Sequence, residues 1–126
     1  LRRDSLAKYR IIPKVLDSLE LFKEGEIASI IAKEEWFKQT GAHNRDCEDA
    51  LDMVMSIAVV KIAFFVRVVN GISRISLRSK GKIDVAKIAA VFEGGGHFNA
   101  AGCSIDTLDV EKAKQIVLKE IFEVYK

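Results

Sequence analysis

Residues 94–102, Gly-Gly-Gly-His-Phe-Asn-Ala-Ala-Gly, carry the side chains and backbone best suited to chemistry in this chain. Consecutive glycines lose much backbone entropy on folding, so a folded domain keeps them where the chain takes positive φ or approaches another group closely. Exposed N–H groups in such a turn form a concave site for an anion such as phosphate. His97 follows directly and can donate a hydrogen bond to a phosphate oxygen. The structural alternative is a plain loop in which His97 caps or packs locally.

A second group of polar side chains lies in residues 72–78, Ile-Ser-Arg-Ile-Ser-Leu-Arg. Asn70-Gly71 precedes this segment, and a long apolar, β-branched run over residues 59–69 precedes Asn70. Asn-Gly between two strand-like runs predicts a tight hairpin, because both central residues take positive φ. Successive side chains of a strand point to opposite faces. We therefore expect Arg74 and Arg78 to share one face of the second strand.

These segments together resemble the C-terminal, DHH-associated domain of the first type in the DHH phosphoesterase family. The motif Gly-Gly-Gly-His-x-x-Ala-Ala-Gly at 94–102 is similar to the signature of that domain. Residues 75–79 resemble its arginine-bearing strand, and residues 83–89 resemble the helix before its glycine loop. Asp46-x-Glu48 resembles an acidic pair in the branch of oligoribonucleases and pAp phosphatases. The resemblance covers residues 26–106, which is most of the chain.

The resemblance implies that this domain binds the phosphate or the terminal nucleotide of a substrate. The residues so implicated are Arg78, Gly94, Gly95, Gly96, His97 and Asn99. Further candidates are Arg74, Lys80, Asp46 and Glu48. A guanidinium suits this role because it can bind a phosphate through two parallel hydrogen bonds. The structural alternatives are surface salt bridges for the arginines, a loop cap for the asparagine and a helix N-terminus for the two acids.

Catalysis, by the same resemblance, belongs to an N-terminal DHH domain in which Asp and His clusters hold two metal ions. The present chain has only His43 and His97 and contains no Asp-His-His sequence. We therefore predict no catalytic residue and no metal or cofactor site in this chain, and we expect the isolated chain not to hydrolyse phosphodiesters. The parent enzyme is expected to use manganese or magnesium in the missing domain. Because the sequence begins with Leu1, we expect a fragment of a longer protein or a processed chain.

Hydrophobic periodicity indicates the elements that position these residues. A first helix is expected to begin at Asp4 or Ser5 and to end at Gly25, with a kink or a restart at Pro13. Strands are predicted over residues 27–32 and 102–105 besides the hairpin. Further helices are predicted around residues 35–37, over 46–56, over 85–92 after Asp84, and after Thr107 or Asp109.

This order of elements predicts an α/β fold, a mixed β-sheet that contains an antiparallel hairpin and carries helices packed on it. We expect residues 1–24 to form a connector or packing helix and residues 25–126 to form the DHH-associated substrate-binding domain.

Composition limits the class of protein. The chain has 126 residues, of which 49% are hydrophobic and 30% charged, with a formal net charge of +2. It is therefore long enough for one packed domain and only weakly basic. No apolar run approaches the ~20 residues of a membrane span. The two cysteines are far apart, which is typical of reduced thiols in a cytoplasmic protein.

The expected partners are short single-stranded RNA or DNA, or a nucleotide, and the N-terminal catalytic DHH domain; a homodimer is a further expectation. Hydrolysis of short oligonucleotides or 3′-phosphoadenosine 5′-phosphate by the parent enzyme is the leading hypothesis. Alternatives are the substrate domain of a cyclic-dinucleotide or single-strand DNA phosphodiesterase, or a non-enzymatic RNA-binding appendage like the C-terminal domain of alanyl-tRNA synthetases. A structural or dimerising module is a third class.

Overall fold

A six-stranded sheet and five α-helices make up residues 3–126 in the computed structural model of this chain. The strands are β1 (Glu20–Phe22), β2 (Ile27–Ala32), β3 (Ile62–Val69), β4 (Ile72–Ser79), β5 (Gly95–His97) and β6 (Ala100–Ile105). The helices are α1 (Leu6–Asp17), α2 (Glu34–Thr40), α3 (Asp49–Met55), α4 (Val85–Val91) and α5 (Val110–Val124), and a 3-10 turn (Asn44–Cys47) precedes α3. Within residues 3–126, no helix combines the length and apolar character needed to cross a bilayer.

The sheet is mixed, with the strand order β1-β2-β3-β4-β6-β5. The neighbours β2 and β3 are parallel and are joined through α2 and α3, as a parallel pair requires a crossover. The other four neighbouring pairs are antiparallel. The α/β class expected from the sequence, with its antiparallel hairpin and packed helices, is confirmed.

The β3–β4 hairpin has the two-residue turn that its sequence predicts. Asn70 has a φ of 52° and Gly71 a φ of 78°, so both central residues lie in the left-handed region. The turn fixes the register, in which Val69 pairs with Ile72. Every residue pair further along the two strands follows from that register.

One face of the sheet carries the apolar side chains of the hairpin and is covered by α4 and α5. Phe64, Ile75 and Leu77 are fully buried there, together with Ile88 of α4 and Val117 of α5. Asp84 caps α4 by accepting a hydrogen bond from the backbone N–H of Lys87; Asp109 likewise caps α5. This core covers one side of the sheet.

The opposite face is covered over only part of its width. Helices α1 and α3 pack on β2 and β3, where Ile11 and Val15 of α1 and Phe65 of β3 are buried in a second core. Beyond β3 the side chains of this face are exposed or half-buried. We call this region the open face, and it comprises Arg74, Ser76, Arg78, Gly95, His97, Ala100, Gly102 and Ser104.

The N-terminal segment differs from its prediction after residue 17. The first helix begins after Ser5, as expected, but it ends at Asp17 and runs through Pro13 without ending or restarting. Leu19 then leads into β1, which the sequence did not predict. Gly25 lies in the β1–β2 turn with a φ of 90°, instead of ending a helix.

Two further boundaries differ. The predicted helix over 46–56 begins only at Asp49, since residues 44–47 form the tighter 3-10 turn. The predicted glycine loop forms an edge strand, β5, paired with β6. Two backbone hydrogen bonds hold the turn that joins β5 to β6. The N–H of Ser79 donates to the Asn99 carbonyl, and the N–H of Val85 donates to the Phe98 carbonyl.

Candidate anion-binding site

Three arginines lie on the same side of the β3–β4 hairpin. Arg67 is the direct cross-strand partner of Arg74, and Arg78 lies four residues further along β4, about 13 Å from Arg74 at strand spacing. Within residues 3–126, none of the three forms an ion pair with a carboxylate. Their guanidinium groups therefore have no ion-pairing carboxylate in the described part of the chain.

Arg67 is the most constrained of these arginines. Its Nε atom is buried and finds no hydrogen-bond partner among residues 3–126, and its guanidinium lies 4.9 Å from the centroid of the Phe65 ring. Burial lowers the pKa of Arg67, and the like charges of Arg74 and Arg78 lower it further, against the attraction of Glu48. A desolvated guanidinium beside two others is costly unless an anion compensates it.

The floor between the arginines is made of small residues. Ser76 of β4 pairs with Gly102 of β6, which pairs in turn with Gly95 of β5. A Cβ atom at Gly102 would lie 2.6 Å from Nη2 of Arg74, so the guanidinium of Arg74 extends over this glycine. Nη1 of Arg74 donates to the Ser104 hydroxyl at 3.3 Å. The floor thus lets a ligand approach the backbone closely, beside a cation.

The three consecutive glycines differ in whether the fold leaves room for a side chain at their position. A Cβ atom at Gly94 would lie 2.2 Å from the carbonyl oxygen of Gly102, and one at Gly96 would lie 2.6 Å from Cα of Ala101. Gly96 also has a φ of 144°. A Cβ atom added at Gly95 would have no other group within 4 Å, and this residue has no positive φ. The fold therefore requires glycine at two of the positions, and the middle one is open toward the solvent.

His97 and Arg78 flank the same small residue. Both pair with Ala100, one from each side, so they lie on one row of the open face about 10 Å apart. His97 is exposed. Arg78 is half-buried, and its Nη1 donates to the Leu77 carbonyl at 2.9 Å. That single bond leaves most of its donors available to a ligand.

Two of the candidate residues are occupied by the fold. The side-chain amide of Asn99 donates to the Ser79 hydroxyl at 2.9 Å and to the Gly81 carbonyl at 3.1 Å. The Lys80 ammonium donates to the Ile57 carbonyl at 2.9 Å. Asn99 thus holds the loop after β4, in agreement with the loop-cap alternative, and Lys80 holds the loop before β3.

The two acids before α3 point to different surroundings. The Asp46 carboxylate accepts from the backbone N–H of His43 at 2.8 Å and from the Ser5 hydroxyl at 2.9 Å. The His43 bond is the main reason that the pKa of Asp46 is lowered. Asp46 therefore ties the 3-10 turn to α1. Glu48 is exposed and lines a cleft with Arg67 and Arg78.

The comparison with known protein families decides which family this is. Residues 25–125 match the DHHA1 domain. This chain belongs to the DHHA1 domain family. The resemblance stated from the glycine motif and the arginine strand is confirmed.

Relatives of this DHHA1 domain include DHH-family enzymes. The chain is 26% identical over 115 residues to the bifunctional oligoribonuclease and PAP phosphatase NrnA of Thermus thermophilus, covering 91% of this chain and 34% of the relative. It superimposes with a TM-score of 0.88 and 28% identity on an exopolyphosphatase-related protein from Bacteroides fragilis, over 96% of this chain and 36% of that one. The chain thus spans about a third of the length of these relatives.

Two more distant structures share the fold. A pGpG-specific phosphodiesterase, PggH, from Vibrio cholerae superimposes with a TM-score of 0.63 and 14% identity, over 94% of this chain and 40% of that one. The C-Ala domain of Aquifex aeolicus alanyl-tRNA synthetase does so with a TM-score of 0.55 and 13% identity, over 75% of this chain and 88% of that domain. At these identities the likeness concerns the fold alone.

Sequence reasoning missed Arg67, although the signal was present. A two-residue turn at Asn70-Gly71 pairs residue 69 with 72, and the same register pairs Arg67 with Arg74. Cross-strand partners share a face. The turn and the alternation together would therefore have placed a third arginine on the face of the DHHA1 domain that bears Arg74 and Arg78. As for metal, no three His, Cys, Asp or Glu side chains of residues 3–126 converge on a common point.

Proposed function

We propose that this DHHA1 domain is the substrate-binding domain of a DHH-family phosphoesterase and holds the phosphates of short single-stranded oligonucleotides or of 3′-phosphoadenosine 5′-phosphate. The observation that carries the proposal is the group of three arginines without carboxylate partners beside a floor of small residues. The name of the Thermus relative, an oligoribonuclease and PAP phosphatase, supports the same substrate class.

In this proposal the position of each residue determines which contact it makes with the ligand. Arg67 and Arg78 bind phosphate oxygens from the hairpin, and Arg74 does so over Gly102. His97 contributes a donor from the edge strand, and Gly95 lets the ligand approach the backbone. A catalytic DHH domain with manganese or magnesium ions would supply the attacking water and would close over the open face. We further propose that the parent enzyme is cytoplasmic and dimeric.

The proposal is tested by titrating the 126-residue chain, without metal, with labelled 5′-phosphorylated di- to pentaribonucleotides and with 3′-phosphoadenosine 5′-phosphate as competitor. The variants are Arg78→Met and His97→Ala. Lys119→Met, a change of an exposed cation on α5, is the matched control. Each site variant should lose about 1.5–3 kcal/mol, which is roughly ten- to a hundredfold in affinity.

Saturable binding that both site variants weaken, with the control unchanged, is the expected result. Binding should also weaken as salt is added, because phosphate contacts release counterions. Equal affinity in all four proteins would remove the open face from the proposal. A salt-dependent preference for whole tRNA over a trinucleotide would instead favour an RNA-binding appendage.

A further inference from the structure

The cleft beside the open face has walls of opposite charge. It encloses about 390 Å³ between α3 and the β3–β4 hairpin. Arg67, Arg78 and the Ser76 hydroxyl line the sheet side. The acids Glu48, Asp49 and Asp52 line the helix side, where Asp49 pairs with Lys8. We call this space the two-charge cleft.

Two of the three acids of the helix wall lie one above the other. Glu48 and Asp52 are four residues apart in a helical stretch, so their carboxylates project from the same side. Both are exposed, and neither carboxylate forms an ion pair or a side-chain hydrogen bond within residues 3–126. Glu48 is the acid of this pair whose negative charge opposes the lowering of the Arg67 pKa.

A ligand that consists only of phosphate does not suit such a cleft. The sheet wall attracts it, but the carboxylates of the helix wall repel it and can only accept hydrogen bonds. The ligand that fits both walls carries an anion and, a short distance from it, hydroxyl or N–H donors. A nucleotide meets this condition.

The donors nearest to a nucleotide phosphate are the hydroxyls of its own ribose, whereas the hydrogen-bonding edge of the base lies further away. Glu48 and the two arginines line the same cleft from its two sides, so a donor close to the phosphate is the one best placed to meet Glu48. A carboxylate that accepts from the ribose 2′-hydroxyl is an established way to recognise a ribonucleotide. The same hydroxyl is the group by which a protein tells RNA from DNA.

We propose that Glu48 accepts a hydrogen bond from the ribose 2′-hydroxyl of a nucleotide whose phosphate lies on Arg67 and Arg78, and thereby selects ribonucleotides over deoxyribonucleotides. The inference rests on the proposed function, since it needs phosphate at the arginines. It makes Glu48 a specificity-determining residue of the binding site, with no part in the chemical step.

The test compares the affinity of the 126-residue chain for three probes, which are 5′-phosphorylated ApA, the same dinucleotide with 2′-deoxyribose, and inorganic pyrophosphate. The wild type should bind the ribose form about tenfold or more tightly than the deoxyribose form. Glu48→Ala should weaken binding of the ribose form until the two sugars are nearly equal. It should also strengthen pyrophosphate binding by roughly twofold, because a repelling charge is removed.

Glu48→Ala should thus change the two affinities in opposite directions, weaker for the ribose dinucleotide and stronger for pyrophosphate. Structural damage alone would weaken the binding of both probes. Glu48→Gln provides a second variant of nearly the same shape, and Glu123→Ala on α5 is the control. If the wild type binds both sugars alike while Arg78→Met still weakens binding, the inference fails and the proposed function stands. If Glu48→Ala weakens both sugars equally, the inference also fails. If neither dinucleotide binds the wild type, both are overturned.

Discussion

The three glycines of β5 allow binding to be separated from stability by substitutions one residue apart. An added Cβ atom overlaps backbone at Gly94, with 2.2 Å to the Gly102 carbonyl oxygen, and at Gly96, with 2.6 Å to Cα of Ala101. A Cβ atom added at Gly95 would have no other group within 4 Å, and Gly95 is not among the glycines with positive φ. Its side-chain position faces the floor of the open face, since it pairs with Gly102.

The expected magnitudes follow from these distances. Gly94→Ala and Gly96→Ala should each lower the free energy of unfolding by about 2 kcal/mol or more, because backbone atoms must move and Gly96 also has positive φ. Gly95→Val should leave stability unchanged or raise it by about 0.5–1 kcal/mol, because glycine weakens a strand. Its methyl groups occupy the floor, so it should lose at least one charge-assisted contact, about tenfold or more in affinity.

Urea unfolding and dinucleotide titration of the same three variants provide the measurement. The reasoning predicts a folded Gly95→Val protein that binds poorly, beside two neighbours that unfold at lower urea. Wild-type affinity in Gly95→Val would refute the placement of the ligand on this floor. A Gly95→Val protein less stable than Gly94→Ala would refute the account of the glycines themselves.

Three other perturbations have defined outcomes. Arg67→Met should weaken dinucleotide binding about tenfold or more. It should leave the stability to urea unchanged or up to about 1 kcal/mol higher, because it removes a half-buried charge that its neighbours repel. Lost stability with intact binding would make Arg67 a structural residue. Asp46→Asn should cost about 1–2 kcal/mol at pH 7. The pKa of Asp46 is lower in the folded than in the unfolded chain, so the carboxylate stabilises the fold above the unfolded-state pKa and loses that effect as pH falls through the folded-state pKa. The difference in urea stability between wild type and Asp46→Asn should therefore shrink toward pH 3. Burial raises the pKa of Cys47 and Cys103 to about 11, so neither thiol should react with a disulfide reagent at pH 8 until urea unfolds the chain.

The elements that the sequence predicts well are those with a side-chain pattern or a specific turn. The hairpin at Asn70-Gly71 is one, because φ > 0 at both positions leaves few alternatives. The short edge strands are the opposite case. β5 is Gly-Gly-His, which carries no alternation, and it exists because β6 supplies its hydrogen bonds. β1 continues the apolar spacing of α1, so period alone assigned it to the helix.

The site divides in the same way. Alternation placed Arg74 and Arg78 together, and register would have added Arg67. The roles of Lys80 and Asp46 depend on partners distant in the chain, the Ile57 carbonyl and the Ser5 hydroxyl. Neither partner has a sequence signal, because any residue offers a carbonyl and serines are common. A lysine beside a glycine and an acid at a helix start therefore left both a ligand contact and a structural role open.

The hairpin register links the stability of this domain to its binding surface. The alternation that buries Ile75 and Leu77 under α4 and α5 is the one that sends Arg74 and Arg78 to the open face. A slip of one residue would turn those arginines into an apolar core and expose the apolar residues, which no ligand could compensate. The turn at residues 70 and 71 thus determines the binding surface without touching a ligand. The same register keeps the arginines out of the apolar core, so the electrostatic cost of three arginines without ion-pairing carboxylates falls on the part of the sheet where an anion can relieve it.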